Sequence, residues 1–167
     1  MKKNKKQVLS KRNSFLVVAS TVISGISPFV RKSIVAGSIR REKEFPDDID
    51  VLIIMKKKFN LYDIRNFVVE NFNATINWSG YNKMQAVIYD IKVDFKVTTY
   101  QEWGAALLYF TGSGEFNMRM RAIAKSKGLK LNEYGLWRNE NEIIESKDER
   151  KIFKALEMNY LEPNKRA

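Results

Sequence analysis

The sequence predicts an α+β fold, built from 167 residues as one compact domain or two small lobes. Apolar residues recur at helical spacing in some segments, as at Leu61, Ile64 and Val68. In other segments they alternate with polar residues, and Ile91 to Val97 is the clearest predicted strand. Glycine, proline and asparagine separate these segments, so helices and strands follow one another along the chain.

The first part of the chain is expected to supply most of the strands. A first helix is expected to end at the break from Gly25 to Pro28, and Asn60 with Asp63 predicts the N-cap of a second helix. The predicted elements are, in order, a helix over 10–26, a strand over 33–36, a basic turn or short helix over 40–45, a strand over 48–55, the helix capped at Asn60, and strands over 74–78, 84–89 and 91–97.

The second part is expected to be mainly helical. Thr99 with Glu102, and Ser146 with Glu149, have the spacing of capping boxes, which open helices. The predicted elements are, in order, a helix to 110, a break over 111–114, a helix to about 127 that is stopped by a glycine, a pair of hairpins over 129–144 that turns at 139–141, and a last helix. A lobe boundary near 97–100 gives predicted domains of 1–98 and 99–167.

The N-terminal segment superficially resembles a signal peptide, because a basic stretch precedes the apolar run FLVVASTVI. That run is short, and SPFVRK follows it instead of a cleavage region, so an amphipathic or buried first helix is the preferred interpretation. There is no run of eighteen apolar residues, so no membrane-spanning segment and no membrane partner are expected.

The amino-acid composition limits the kinds of partner, nucleophile and metal site that the protein can have. Thirty Lys and Arg against nineteen Asp and Glu give a net charge of +11, which favours a polyanion: nucleic acid first, an anionic membrane surface second. Cysteine is absent, which excludes disulfides and thiolate metal sites and fits an intracellular, reducing compartment. Histidine is absent too, which excludes Ser-His and Cys-His nucleophiles and imidazole-bound zinc, and leaves carboxylates as candidate metal ligands.

Two carboxylates stand at the leading end of the most apolar strand. Asp48 and Asp50 are two residues apart, so on a strand they share one face. Asp94 lies on the polar face of the strand from Ile91 to Val97 and could join them if the two strands pair. Three oxygen ligands on one sheet face suit Mg²⁺, and two such ions could activate an attacking hydroxyl and steady a leaving phosphate. Taken by itself, D-x-D also fits a solvated strand end with ordinary surface aspartates.

A Gly-Ser pair precedes these aspartates. Gly37 and Ser38 follow a predicted strand, where backbone N–H groups could bind a phosphate, and Arg40 and Arg41 add positive charge. Alone, the pair fits an ordinary strand-to-helix turn. Placed before the two aspartates, it predicts phosphates on the turn and metal on the carboxylates.

These motifs together resemble those of a known family. GSIRR followed by DDIDV resembles the nucleotidyltransferase signature of the family X DNA polymerases, the DNA polymerase beta group. IKVDFKV resembles the strand that carries that family's third catalytic aspartate, and LYFTGSGEFNMRMRAIAKSKGLKLNEYGL and NYLEPNKRA are similar to its C-terminal region. The resemblance runs from about Ser33 to the end. It implies a nucleotidyltransferase palm, a mixed sheet flanked by helices, and a small helical and β-hairpin lobe that binds the nucleotide.

The resemblance also implies roles for single residues. Catalysis and the binding of two Mg²⁺ ions, with Mn²⁺ as a substitute, fall to Asp48, Asp50 and Asp94, and Asp94 is also the expected base for the primer 3′-hydroxyl. Nucleotide binding falls to Gly37, Ser38, Arg41, Tyr109, Phe110, Gly112 and Asn117. Contacts with DNA and template fall to Arg121, Lys125, Glu133 and Tyr134. From the residues alone, Asn117 and Arg121 also fit one face of a solvated basic helix, and Tyr109 with Phe110 also fits an aromatic core pair.

Three departures accompany the resemblance. Asp47 stands where many relatives have a small residue near the phosphates, and Lys92 replaces an arginine often found two residues before the third aspartate. Because only about thirty residues precede the first predicted strand, the lyase domain of repair members is not expected here. This reduced arrangement is similar to that of the small viral family X polymerase, and DNA would be held mainly by Lys and Arg side chains.

The expected function is therefore template-directed addition of dNTPs to a primer 3′-hydroxyl, as in short-gap filling during DNA repair. The expected partners are gapped or primer-template DNA and a dNTP, bound by a monomer in the cytoplasm, a viral factory or the nucleus. Two alternatives stay open: template-independent, RNA or small-molecule nucleotidyl transfer, and a DNA-binding relative that has lost catalysis.

Overall fold

The structure, a computed structural model, describes residues 2–166, with side chains from residue 11 onward. The chain divides into two compact units, Met1–Val97 and Thr98–Ala167. Unit 1 consists, in chain order, of α1 (Lys2–Ile26), β1 (Val30–Val35), α2 (Gly37–Arg40), β2 (Ile49–Met55), α3 (Leu61–Phe72), β3 (Thr75–Ser79), β4 (Lys83–Ile88) and β5 (Ile91–Val97).

The first helix, α1, buries one apolar stripe in the core of unit 1. The stripe has helical spacing and consists of Phe15, Val18, Ala19, Val22 and Ile26. The interpretation as a buried first helix is therefore confirmed. The helix begins at Lys2 rather than at residue 10, because the prediction followed an apolar periodicity that the lysine-rich start lacks.

The five strands of unit 1 form one mixed sheet in the order β1-β2-β5-β4-β3. The central pair, β2 and β5, is parallel, and the three other pairings are antiparallel. Because parallel strands run in the same direction, the leading halves of β2 and β5 lie side by side. The predicted strand from Ile91 to Val97 has the observed bounds of β5.

The segment between β1 and β2 differs from the expectation in one respect. A short helix or basic turn was expected over 40–45, whereas the helical turn α2 lies earlier, at Gly37–Arg40. Its bonds run from Arg40 N–H to the Ala36 carbonyl and from Arg41 N–H to the Gly37 carbonyl, at 3.1 Å each. A turn follows at once, with Glu42 at a φ of 59°, so the helix cannot continue.

The N-terminus of α3 carries the predicted capping box. Asn60 Oδ1 accepts a hydrogen bond from the Tyr62 N–H at 2.8 Å, and Asp63 Oδ2 accepts one from the Asn60 N–H at 2.7 Å. Two donors at the start of the helix are thus satisfied, which fixes where α3 begins.

Unit 2 is a helical cluster with a small sheet. It consists, in chain order, of α4 (Trp103–Thr111), α5 (Gly114–Ser126), β6 (Lys130–Asn132), β7 (Gly135–Asn139), β8 (Glu142–Glu145), α6 (Glu149–Ala155) and a 3₁₀ turn (Pro163–Lys165). The strands form two consecutive antiparallel hairpins, as predicted. Its apolar core includes Leu108, Phe116, Met120, Leu136, Ile152 and Phe153.

Helix α5 starts and stops where the sequence predicts. Ser113 Oγ accepts a hydrogen bond from the Phe116 N–H at 3.2 Å, which caps the start. Gly128 follows the last turn with a φ of +71°, a conformation that favours glycine.

The capping box predicted at α4 is wrong. Thr99 Oγ1 donates to the Glu102 carboxylate at 3.1 Å, so the two side chains bond each other instead of the backbone. The helix begins only after Glu102 and has no side-chain cap.

The capping box predicted at α6 is wrong as well. The N-cap is Asp148, whose Oδ1 accepts hydrogen bonds from the N–H groups of Arg150 and Lys151 at 2.8 and 3.2 Å. Glu149 is buried in an ion pair with Arg166, so it cannot reach back toward Ser146. A contact across seventeen residues thus overrides the local pattern.

Among residues 2–166, no helix combines the length and the apolar character that a membrane crossing requires.

Candidate active site

The site in unit 1 is centred on two neighbouring aspartates of the parallel strand pair. Asp50 on β2 stands directly opposite Asp94 on β5. Ile49 and Val93, the residues just before them, are fully buried in the core. Because side chains alternate along a strand, both carboxylates lie on the opposite face of the sheet. The strand pairing that the sequence left open is therefore present.

Asp48 lies two residues before Asp50, at the entrance to β2. Burial, and then the negative charges of Asp48 and Asp94, raise the pKa of Asp50 to about 7, with Arg41 acting in the opposite direction. Burial, and then the charges of Asp94 and Asp47, also raise the pKa of Asp48. Negative charge is thus concentrated at these aspartates, and the positive charge of Arg41 offsets it only in part.

Asp47, the residue before Asp48, is paired with a lysine. Its carboxylate bonds Lys43 Nζ at 3.0 Å, and this bond holds the pKa of Asp47 below its usual range. The negative charge of Asp47 is therefore partly offset by a neighbouring lysine.

Asp94 is held from the other side. Gln85 on β4 lies opposite it in the antiparallel pairing, and Gln85 Nε2 donates to Asp94 Oδ1 at 2.9 Å. Asn77 Nδ2 in turn donates to Gln85 Oε1 at 2.8 Å. Sequence reasoning missed both amides. The alternation in β4 puts Gln85 on the polar face of the sheet. The pairing of β4 with β5 is part of the tertiary structure, so local sequence patterns do not reveal that Gln85 lies opposite Asp94.

The donor chemistry of this cluster fits a divalent cation. Asp48, Asp50 and Asp94 offer hard carboxylate oxygens, and a cation would offset the charge that raises the pKa of Asp50. Within the part of the chain that the structure describes, no three acidic side chains already surround a common point. Like charges repel, and the Asp94 carboxylate is tied to Gln85.

Gly37 lies in close approach to Asp50. Its φ is +57°, and a Cβ atom at this position would lie 1.7 Å from Asp50 Oδ2. Only glycine therefore fits here without displacing the carboxylate.

Ser38 and Arg41 flank the same carboxylates. Ser38 is buried, and its Oγ has no hydrogen-bond partner, which is a costly state for a polar atom unless a ligand binds it. Burial lowers the pKa of the Arg41 guanidinium, while Asp50 and Asp48 act to raise it. A turn with an unsatisfied hydroxyl and a nearby guanidinium suits an anionic group.

Within unit 2, the predicted nucleotide-binding residues fall at the end of α4. The rings of Tyr109 and Phe110 meet edge to face, with centroids 5.1 Å apart. Gly112 follows with a φ of +68°, and its peptide bond to Ser113 is cis. The aromatic pair and the glycine turn are thus adjacent.

Asn117 and Arg121 lie one turn apart on α5. Asn117 Nδ2 donates to the Tyr109 carbonyl at 2.7 Å, which ties α5 to the end of α4. Together with Tyr109 and Asn132, these side chains line a small hollow. Lys125, one turn further along α5, is exposed.

The loop between β6 and β7 carries the remaining predicted residues, Glu133 and Tyr134. Asn132, which sequence reasoning missed, organises this loop. Its Oδ1 accepts hydrogen bonds from the N–H groups of Tyr134 and Gly135 and from Trp137 Nε1, at 2.9, 3.0 and 3.2 Å. An asparagine three residues before a glycine is the signal for such a turn.

Comparisons with known proteins converge on one family. The model of the family described as DNA polymerase beta thumb matches residues 106–167. The chain is 35% identical over 147 residues to a "Repair DNA polymerase X" of African swine fever virus (isolate Warthog/Namibia/Wart80/1980), covering 81% of this chain and 82% of that protein. It is 43% identical over 75 residues to "DNA polymerase IV" of Saccharomyces cerevisiae, covering 45% of this chain and 13% of the yeast protein.

A solved structure of Leishmania infantum polymerase beta, a ternary P/T complex, superposes with a TM-score of 0.81. The match covers 94% of this chain and 76% of that one, at 22% sequence identity. At this identity the likeness bears on the fold alone. It confirms the predicted nucleotidyltransferase fold, a mixed sheet flanked by helices.

Proposed function

This chain belongs to the family X DNA polymerases, and from that premise we propose that it fills short gaps in DNA by template-directed, two-metal nucleotidyl transfer. It is a DNA repair polymerase of that family, a DNA-directed enzyme like its named relatives. Polymerases of family X depend on divalent metal ions. The observation that carries the finer proposal is the register that sets Asp50 opposite Asp94.

In the proposed reaction, Asp48, Asp50 and Asp94 hold two Mg²⁺ ions, for which Mn²⁺ can substitute. When bound there, the ions would lower the pKa of the primer 3′-hydroxyl and would neutralise charge on the triphosphate. Asp94 accepts the hydroxyl proton, and we assign this to Oδ2 because Oδ1 accepts the Gln85 hydrogen bond. The 3′-oxygen bonds to the α-phosphorus, and the bond from that phosphorus to the bridging oxygen of pyrophosphate breaks.

The turn around α2 is proposed to hold the triphosphate. Ser38 Oγ is a hydroxyl that lacks a partner, and Arg41 supplies a partly buried positive charge beside it. Gly37 lets this turn approach Asp50 closely, which would bring phosphate and metal ligands together. A nucleotide held in this orientation has already lost its translational and rotational entropy on binding, so this loss does not add to the barrier of the chemical step.

Unit 2 is proposed to bind the nucleotide and the template, while unit 1 forms the catalytic palm. Tyr109, Phe110 and Gly112 would contact the sugar, and Asn117 the base. The donor of Asn117 already bonds the Tyr109 carbonyl, so its Oδ1 is the atom proposed for the base. The proposed DNA and template contacts are Arg121, Lys125, Glu133 and Tyr134.

The partners proposed are gapped or primer-template DNA and a dNTP, bound by a monomer inside the cell. A net charge of +11 supports an affinity that rests on phosphate contacts.

Primer extension with each dNTP offered singly tests the proposal. On a one-nucleotide gap, the wild-type protein is expected to add the complementary nucleotide well ahead of the other three. Asp94→Asn is expected to lose a factor of about 10² to 10⁴ in turnover, the range for a positioned base, with nearly unchanged DNA affinity. Equal addition of all four nucleotides, or equal rates on single-stranded primers, would show an untemplated transferase instead.

A further inference from the structure

Gln85 and Asp94 are joined by a side-chain hydrogen bond and also lie opposite each other in the sheet. Gln85 on β4 and Asp94 on β5 are direct partners in the antiparallel ladder. Directly opposed side chains on one face of a sheet lie within reach of each other. The register therefore brings the two side chains within reach, and Gln85 Nε2 donates to Asp94 Oδ1 at 2.9 Å.

Asn77 holds Gln85 in the orientation that this bond needs. An amide that donates through Nε2 to Asp94 presents Oε1 on its other side, and Asn77 Nδ2 donates to that oxygen at 2.8 Å. The two bonds agree on which end of the Gln85 amide is nitrogen and which is oxygen. The arrangement is a chain of three side chains that ends at Asp94.

A β-bulge on β3 lies at Asn77. Ile76 pairs with Ala86, but the next pair is Trp78 with Gln85, so Asn77 is the extra residue on β3. Bulges redirect side chains and are over-represented beside active sites. Without the bulge, Asn77 would itself occupy the ladder position opposite Gln85.

We propose that Gln85 is a positioning residue for the polymerase reaction: it fixes the rotamer of Asp94, and Asn77 fixes Gln85. The proposal rests on the proposed role of Asp94 as base and metal ligand. With Oδ1 bound to Gln85, Oδ2 is kept in one place for the metal and for the primer hydroxyl. Without this hydrogen bond, the Asp94 carboxylate could rotate about its Cβ–Cγ bond and present either oxygen. It would then spend less time in the productive geometry.

The test compares Gln85→Met, which keeps the length of the side chain and removes both hydrogen bonds, with the wild-type protein. We expect kcat on gapped DNA to fall about 10- to 100-fold, the range for partners that orient metal ligands. The KM for dNTP and the Kd for DNA should change little, because Gln85 is proposed to contact neither. The affinity for Mn²⁺ without DNA or dNTP, measured by electron paramagnetic resonance, should fall as well.

Two further variants separate positioning from a general effect on the sheet. Asn77→Ala should lower kcat by about 2- to 10-fold, the size of one neutral hydrogen bond. The double variant should be no worse than Gln85→Met alone, since both changes act through one chain of bonds. Thr75→Val is the control: Thr75 is exposed on β3 and pairs with Val87, and its replacement should leave kcat and Mn²⁺ affinity unchanged.

The proposal is overturned if Gln85→Met keeps more than half of the wild-type kcat and Mn²⁺ affinity, or if Thr75→Val loses as much. Should Gln85→Met fail to fold, Asn77→Ala decides the question, because Asn77 is exposed. A wild-type protein that fails to extend a primer would remove the proposed function. The Mn²⁺ affinities of the wild type and Gln85→Met would still report on the positioning role.

Discussion

Arg166 is fully buried, and its Nη1 donates to Glu149 Oε1 at 2.6 Å. The hydroxyl of Tyr160 donates to the other carboxylate oxygen at 2.9 Å. The rings of Phe116, Phe153 and Tyr160 lie 5.2 to 5.4 Å from the guanidinium carbon. Unit 2 thus encloses a charged pair inside its aromatic core, where each charge depends on the other.

Glu149→Ala should destabilise unit 2 by about 3 to 5 kcal/mol, because it leaves a buried guanidinium without its carboxylate. Urea denaturation followed by tryptophan fluorescence measures the change. The matched control is Glu162→Ala, which breaks the exposed pair of Glu162 with Arg150 and should cost about 1 kcal/mol or less. Equal losses in the two variants would show that the buried pair has no special weight.

Gly37→Ala should abolish nucleotide addition while the chain stays folded. The new Cβ would lie 1.7 Å from Asp50 Oδ2, so that carboxylate must leave its position. Gly128→Ala carries the same backbone strain at a φ of +71° but meets no atom within 4 Å. Both variants should lose about 1 to 2 kcal/mol of stability from the left-handed backbone. Single-turnover insertion should fall only in Gly37→Ala, and a similar fall in Gly128→Ala would assign the effect to strain.

The stability of the metal-free protein should decrease as pH rises from about 4 to about 7. The folded state raises the pKa of Asp50 from its ordinary 3.8 to about 7, so over this range the folded chain binds more protons than the unfolded chain. The difference corresponds to at most about 4 kcal/mol, fully lost above pH 7. Asp50→Asn should flatten the curve of unfolding free energy against pH measured with a chelator present.

The raised pKa of Asp50 also predicts how stabilisation by a bound metal ion depends on pH. Mg²⁺ should raise the melting temperature more at pH 8 than at pH 5, because Asp50, whose pKa is raised to about 7, is charged at pH 8. A pH-independent shift would mean that the cation binds elsewhere.

Arg121→Ala should reduce templated insertion more than untemplated addition. If Arg121 contacts the template only when a correct pair forms, its loss lowers kcat rather than ground-state binding. Single-turnover insertion opposite each template base, compared with addition to a single-stranded primer, measures the difference. Arg119→Ala removes the same charge from another face of α5, beside Phe116, and should affect both reactions little. Equal losses in Arg121→Ala would assign that residue a general role in binding DNA.

The sequence predicts the centre of the site better than its surroundings. Alternation predicts Asp94 on the polar face of β5, and the D-x-D spacing predicts that Asp50 on β2 and Asp48 just before it share one face, because period two is a local property. The register that joins Gln85 to Asp94 involves two strands, and the bulge at Asn77 has no local signature. These features depend on tertiary pairing.

The helix caps also show that tertiary contacts limit prediction from local sequence. Asn60 caps α3 as its spacing predicts, and both side-chain bonds of the box are local. Glu149 has equally good spacing but is taken by Arg166 from the far end of unit 2. At α6 a tertiary contact, which the local spacing cannot reveal, therefore decides the cap.

The bulge on β3 has a consequence outside catalysis. This strand ends the order of the sheet in unit 1, so one of its sides offers backbone donors and acceptors to any passing strand. An extra residue at Asn77 breaks the even spacing that a second chain would need in order to add to that side. The bulge at Asn77 is therefore expected to discourage self-association at this edge of the sheet as well.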